Sequence, residues 1–364
     1  MTTIMLIFVT ALFFGSVGTP LAKSLAIKLG FIALPKADRA HTEPTALMGG
    51  LAIYIAFISA LLIIILLTTF VLGNPFRLQE LLSILMGASL MAAIGLWDDQ
   101  HTLPAWAKLG LQLIPVTAVF VAGVQVSLNL VDNENLNLAL NFAITICWTL
   151  YITNAVNYLD NADGIAIMTS ATTSAIFLLI AVLNAQQLVS MLAAAILGAS
   201  LGFARYNLPL PKSTIFMGDS GSLLLGFLLA VLGIKIRVPT NDVQITWMVP
   251  IIVLGLPIFD TALVFISRTR RGVSFFRGGV DHTTHRLARL GMDGLALALG
   301  VSLISGALGL IALFITQTTL AEAYVVATAL FFIALYSLWR LEFKAEYNFR
   351  TGSPIESEIE SIKT

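Results

Sequence analysis

The chain has 364 residues, 58% of them hydrophobic and only 11% charged, with a mean hydropathy of +0.92 and no net formal charge. A soluble globular domain carries about a quarter charged residues, so this composition excludes one. The apolar runs are continuous rather than alternating, which excludes a barrel and leaves helices to satisfy the backbone in lipid.

A crossing needs about 20 apolar residues. On that rule the chain is expected to be an all-α polytopic membrane protein of about eleven transmembrane helices. The predicted spans cover residues 3–27, 46–72, 79–97, 104–125, 138–159, 164–183, 187–206, 219–236, 244–266, 295–316 and 319–341. The first is read as a span because Met1–Gly30 lacks the basic start and small-residue cleavage site of a signal peptide. The segments 104–125 and 164–183 carry several polar residues, and no soluble domain fits between any two spans. Residues 1–341 are therefore read as one membrane domain and 342–364 as a polar cytoplasmic tail. The single Cys147 rules out an internal disulfide.

Basic residues set orientation. With eleven spans, the face shared with the N-terminus carries Arg77, Lys235 and Arg237; the rest of the 20 Lys and Arg lie on or near the opposite face. This places Lys36, Arg39, Lys212, the Arg268–Arg289 cluster and the tail in the cytoplasm. The N-terminus and Val126–Asn137 fall outside. Five polar clusters then share the cytoplasmic face, as expected of an active site open to the cytosol.

In chain order, the third span ends in Trp97-Asp98-Asp99. Adjacent carboxylates beside lipid repel unless a cation neutralises them, and Lys108, one span on, is a partner in reach. The fifth span ends in Asn154, Asn157, Asp160 and Asp163, two amides and two carboxylates at every third residue. Lipid penalises each such side chain by about 2–3 kcal/mol, and one helix cap needs only one of them. Asn157, Asp160 and Asn161 stand at i, i+3 and i+4, on one helix face, and hard oxygen ligands of this kind suit Mg²⁺. Phe216-Met217-Gly218-Asp219-Ser220-Gly221-Ser222 opens the eighth span. Small residues there expose N–H groups to an anion, Asp219 fits either an N-cap or a metal-bridged phosphate, and Phe216 offers a ring on which a base could stack. Asp260, two turns before Arg268, reads equally as a structural hydrogen-bonding group. Asp281–Arg289 sets His282, His285, Arg286 and Arg289 at helical spacing; Arg forks match phosphate oxygens, and zinc is disfavoured by the want of a third ligand.

These motifs, taken together, resemble those of the polyprenyl-phosphate N-acetylhexosamine-1-phosphate transferases, glycosyltransferase family 4. Asn154–Ala166 is similar to NAxNxxDGxDGLA, and Pro44–Gly50 to PTPxxGG; Asp98-Asp99, Phe216–Ser222, Pro257–Thr261 and His282–Arg286 follow in the family's order. The chain departs from the pattern at Asn161, where many members have Gly, at Ala46 and at Thr284. The resemblance implies transfer of a sugar-1-phosphate from a UDP-sugar to a polyprenyl phosphate, with Mg²⁺ or Mn²⁺ as cofactor. It implies Asn157 and Asp219 as metal ligands and Asp98, Asp99 and Asp160 as the catalytic carboxylates. Substrate-binding roles then go to Thr45, Lys108, Asn161, Asp163, Phe216, His282, His285 and Arg286. The expected partners are a UDP-N-acetylhexosamine, undecaprenyl phosphate and membrane lipids, with no nucleic acid; a homodimer is left open. The expected place is the inner (plasma) membrane. The segment His282-Thr283-Thr284-His285 lacks the consecutive histidines of the muramoyl-pentapeptide branch, so N-acetylglucosamine is the favoured sugar. That branch and a membrane transporter are the alternatives.

Overall fold

The computed structural model describes residues 1–33, 44–72, 78–238, 243–275 and 278–344. Lys36, Arg39, Arg77 and the tail beyond 344, whose sides of the membrane the sequence predicts, lie outside these residues. Helix α1 (Thr2–Leu29) ends at Gly30, whose left-handed φ of 74° returns its N–H to Ala26 and Ile27. Two-residue strands β1 (Ile32–Ala33) and β2 (Thr45–Ala46) pair antiparallel. The helices α2 (Gly49–Leu72), α3 (Leu78–His101), α4 (Ala105–Val121), α5 (Glu134–Leu159), α6 (Ile165–Leu183), α7 (Gln187–Asn207) and α8 (Gly218–Lys235) follow. The chain continues through α9 (Val243–Thr246), α10 (Met248–Val253), α11 (Gly255–Arg270), α12 (Thr283–Arg289), α13 (Gly294–Ile315) and α14 (Leu320–Trp339).

Every predicted span is helical, and among the described residues nine helices are long and apolar enough to cross a membrane. The fold is thus that of an all-α multi-pass membrane protein. Two predicted spans differ in form. Helix α4 has 17 residues and Pro115 within it; at 1.5 Å per residue it is about 26 Å long, short of a hydrocarbon core of about 30 Å. The segment 244–266 breaks into α9, α10 and α11. Pro250 and Pro257 each withhold a backbone N–H there, so the ladder is interrupted at Leu254.

Helices α7 and α8 are the most enclosed elements, whereas α14 buries only Ala323 along its length. At one end of the bundle Lys235 pairs with Glu80 at 2.7 Å, and Gln186 accepts from the backbone N–H of Arg237 at 2.8 Å. The start of α3, the end of α8 and the α6–α7 turn therefore share an end. The end of α3, the end of α5 and the start of α8 meet at the other. The polar clusters found along the sequence, where they lie among the described residues, fall at this second end. The expected boundary after residue 341 coincides with no break: α14 runs on into a π-helical turn, Arg340–Lys344, in which Glu342 is buried.

Candidate active site

The site is built around the N-terminus of α8. Gly218 has a φ of 70°, and a Cβ there would lie 2.6 Å from an Asp99 carboxylate oxygen. The backbone N–H groups of Asp219 and Ser220 donate to Asp99 at 2.7 and 3.1 Å. A helix start leaves its first N–H groups without intrahelical acceptors. The carboxylate from α3 fills that need and complements the helix dipole. Asp99, expected to be catalytic, is thus spent on holding α8.

The Pro44–Gly50 element braces the same turn. Phe216 N–H donates to Ala46, and the N–H groups of Gly49 and Gly50 donate to the carbonyls of Phe216 and Met217 at 3.0 and 2.8 Å. Thr45, expected to bind substrate, lies in β2 opposite Ala33. A Cβ at Gly50 would lie 2.1 Å from the backbone nitrogen of Gly221. Gly50→Ala is therefore expected to lower stability by about 1–3 kcal/mol through overpacking and to cut turnover with it. Thermal melting beside an activity assay checks this; a fully active, equally stable variant would show that α2 and α8 do not approach this closely.

Lys108 stands at the centre. Its Nζ lies 2.5 Å from Asp219 Oδ2, 2.8 Å from Asp98 Oδ2 and 3.4 Å from Asn157 Oδ1. Asn157 Nδ2 donates to Asp219 Oδ1 and to Ser222 Oγ, both at 2.8 Å. Leu103 N–H donates to Asp98 Oδ1 at 2.5 Å. One turn back along α5, Asn154 exchanges hydrogen bonds with the buried Gln112 of α4, which locks the two helices together. Two carboxylates and an amide thus aim oxygens at one cationic centre. Among the described residues no group of three or more His, Cys, Asp or Glu forms a metal cluster. The donor set at Lys108 is still hard oxygen throughout, the chemistry that Mg²⁺ takes with one or two carboxylates and water or phosphate completing the shell.

After α5 the chain turns sharply. Asp160 is the C-terminal cap residue of α5. Asn161 donates to the Tyr158 carbonyl at 2.9 Å and accepts from Thr284 at 2.5 Å, so this departure from Gly links the turn to the histidine segment. Asp163 accepts from Ser213 at 2.7 Å. Gly164, at φ 79°, donates to Asn207, which in turn donates to the Ile215 carbonyl. The Asp160–Gly164 turn is thereby tied to the segment that leads into Phe216, itself half-buried.

The histidine segment is held from below by Asp260. This fully buried carboxylate accepts from the ring N–H of His282 at 2.8 Å and from the backbone N–H of Thr283 at 2.6 Å, and so closes the start of α12. The His282 and His285 rings lie 5.6 Å apart. Burial, with His282 beside it, lowers His285 to a pKa of about 4, so it is neutral near pH 7. Burial would raise the Asp281 carboxyl, but the Arg268 fork at 2.8 and 2.9 Å, with Arg271 beside it, holds it at about 2.

Arg286 departs from expectation. The residue is 2% exposed, and its guanidinium is engaged by Glu342 at 2.7 Å, Ser267 at 3.1 Å and the carbonyls of Leu341 and Asp281. Four of its five N–H donors go to the protein's own acceptors, and burial closes the fork off from a phosphate in solution. Its partner Glu342 also binds Arg270 at 2.7 Å, so Arg286 clasps the end of α14 under the histidine segment. The sequence reading assigns no part to Glu342 or Gln112, and it includes Ser222 and Asn207 in its polar clusters without giving either a contact. Gln112 is a polar residue on a buried helix face and could be found as one; Glu342 lies in a stretch that reads as tail.

The profile of glycosyl transferase family 4 matches residues 81–237, the stretch from α3 through α8 that carries Asp98, Lys108, Asn157 and Asp219. The chain is 28% identical to a "probable undecaprenyl-phosphate N-acetylglucosaminyl 1-phosphate transferase" of Bacillus subtilis, over 88% of this chain and 87% of that one. It is 28% identical to a "decaprenyl-phosphate N-acetylglucosaminephosphotransferase" of Mycolicibacterium smegmatis, over 79% and 75%. Similarity to a "phospho-N-acetylmuramoyl-pentapeptide-transferase" of Levilactobacillus brevis, at 29% identity, is confined to 61% of this chain and 69% of that one. The family profile is thus seated on the elements that carry the site, and the similarity to these transferases runs along most of the helical body.

Proposed function

We propose that this chain is a phosphoglycosyltransferase of the inner membrane that moves N-acetylhexosamine-1-phosphate, and specifically N-acetylglucosamine-1-phosphate, from a UDP-sugar to undecaprenyl phosphate. One observation carries the reading: Asp98, Asn157 and Asp219, from three different helices, aim their oxygens at a single cationic centre at one end of the bundle. A transporter site would sit nearer the midplane, in broken helices of repeated halves.

In this reaction an oxygen of the lipid phosphate attacks the β-phosphorus of the donor. The bond from that phosphorus to the bridging oxygen breaks, and its electron pair leaves with UMP. Both reactants are anions, so the site must neutralise charge and set them in line. Asp219 and Asn157, with Asp98 beside them, would hold Mg²⁺ or Mn²⁺, which when bound offsets the charge of the diphosphate. Asp98 orients the acceptor phosphate, itself ionised and in little need of a base. Asp99 positions α8 and so aims Asp219. The Asp160–Asp163 turn and Phe216 receive the uridine, with Asp163 on the uracil side, and His282 and His285 face the sugar and diphosphate. Arg286 acts through its clasp on Glu342. The membrane domain accordingly includes Glu342, and the polar tail follows it.

The deciding experiment gives purified protein undecaprenyl phosphate, a divalent cation and either UDP-N-acetylglucosamine or UDP-N-acetylmuramoyl-pentapeptide, and measures lipid-linked product. Product from the first donor is expected. Preference for the pentapeptide donor would move the chain to the other branch, and rejection of both would point to a modified hexosamine.

The basic residues orient the site towards the cytoplasm, with the C-terminal tail inside and Val126–Asn137 outside. Ser127→Cys and Ser361→Cys, each in a Cys147→Ala background, are expected to react with an impermeant thiol reagent from opposite sides. Labelling of both from one side would overturn the eleven-span arrangement.

A further inference from the structure

Each of the two carboxylates around Lys108 has one oxygen committed elsewhere. Asp98 Oδ1 accepts from Leu103 N–H, and Asp219 Oδ1 accepts from the Asn157 amide. A carboxylate oxygen accepts and does not donate, so it also fixes that amide: nitrogen towards Asp219, oxygen towards Lys108. The three oxygens left over are Asp98 Oδ2, Asp219 Oδ2 and Asn157 Oδ1, and all three lie within 3.4 Å of the Lys108 ammonium. An ammonium has three N–H donors, so it fills this cradle completely.

A divalent cation would need the same oxygens. Mg²⁺ binds oxygen at about 2.0–2.1 Å. An ammonium hydrogen-bonded to the same atoms would then stand a few ångström from a double positive charge in a partly buried site, where like charges repel strongly. The Lys108 side chain is only 13% exposed, yet it rises from the second turn of α4 on a flexible four-carbon stem. It is the one group in the cradle that can leave without moving a helix end.

We propose that Lys108 is a built-in competitor for the divalent cation: its ammonium holds the oxygen cradle while no metal is bound, and it leaves the cradle as the metal enters. This inference rests on the reading of Asp219 and Asn157 as the metal site. It gives the resting enzyme a folded cradle in which one of the two facing negative charges is offset. It also makes metal affinity an exchange of one cation for another, weaker than the bare oxygens would allow.

The test uses the full-length protein in detergent without substrate and reads Mn²⁺ binding by electron paramagnetic resonance. Lys108→Met is expected to bind Mn²⁺ at least ~10-fold more tightly than the wild type, since a like charge has been removed from the binding oxygens. A second measurement needs no variant. Reductive methylation of the wild-type chain, read by mass spectrometry against its other lysines, is expected to modify Lys108 faster in Mg²⁺ than in chelator. Equal or weaker Mn²⁺ binding by Lys108→Met, or methylation unchanged or slowed by Mg²⁺, would overturn the exchange while leaving the metal site in place. Failure of both proteins to bind Mn²⁺, even with UDP-sugar present, would remove the metal reading and the exchange together.

Discussion

Asp219→Asn and Asp98→Asn are each expected to abolish turnover while the protein stays folded and extractable. Both side chains touch the Lys108 ammonium, and both supply an oxygen to the same cradle. An amide in place of either carboxylate removes one negative charge and turns a hydrogen-bond donor towards a cation. Loss of one charge-stabilising contact to a reacting phosphate raises the barrier by several kcal/mol, a fall in rate on the order of 10²–10³-fold or more. For Asp219→Asn the loss is expected in Mn²⁺ affinity as well as in kcat. For Asp98→Asn it is expected in use of the lipid acceptor and, through the shared cradle, in Mn²⁺ affinity too. Radiolabelled sugar-1-phosphate transfer into lipid, with melting temperature as a control, measures both. Near-normal transfer by Asp219→Asn would take it out of the metal site.

The position of the helices was legible in the sequence because lipid leaves a chain few choices. A continuous apolar run of this length has no other means of satisfying its backbone, and the predicted segments coincide with helices. What periodicity could not supply was the interruption in 244–266, where two prolines divide a mostly apolar run. The site was legible to a different degree. Four polar residues at the end of α5 stood out against lipid, and Lys108 was named as the partner of the Asp98–Asp99 pair, which holds for Asp98 at 2.8 Å. The division of labour within that pair was not legible. Successive residues on a helix point about 100° apart, so Asp98 and Asp99 face different neighbours; which neighbour each meets depends on where α8 begins in space. Arg286 fails for the same reason. Its helical spacing with His282 was correct, but its acceptor, Glu342, arrives from 56 residues downstream. No local pattern announces such a contact, and a buried fork engaged by the protein's own acceptors looks in sequence like one awaiting a phosphate.

Asp99 provides the sharpest test of how the site is held. Its carboxylate accepts the Asp219 and Ser220 N–H groups in the first turn of α8, at 2.7 and 3.1 Å, and the left-handed Gly218 lets it approach. Removing the acceptor leaves two helix-end donors to be satisfied by water in a half-enclosed place, a loss of about 1–3 kcal/mol. The larger effect falls on Asp219, whose own backbone N–H is one of the two. A displacement of about 1 Å at a reacting centre can cost on the order of 10²-fold in rate. Asp99→Ala is therefore expected to lower the melting temperature, weaken Mn²⁺ binding and reduce kcat together. Asp99→Asn is expected to do nearly the same, because its amide nitrogen would confront one of the two N–H groups with a second donor. A carboxylate acting as nucleophile or base would give a different pattern: Asp99→Asn would lose turnover while its stability and Mn²⁺ affinity stayed at wild-type values. That pattern would return Asp99 to the chemistry; joint loss of all three would fix it as the group that aims Asp219.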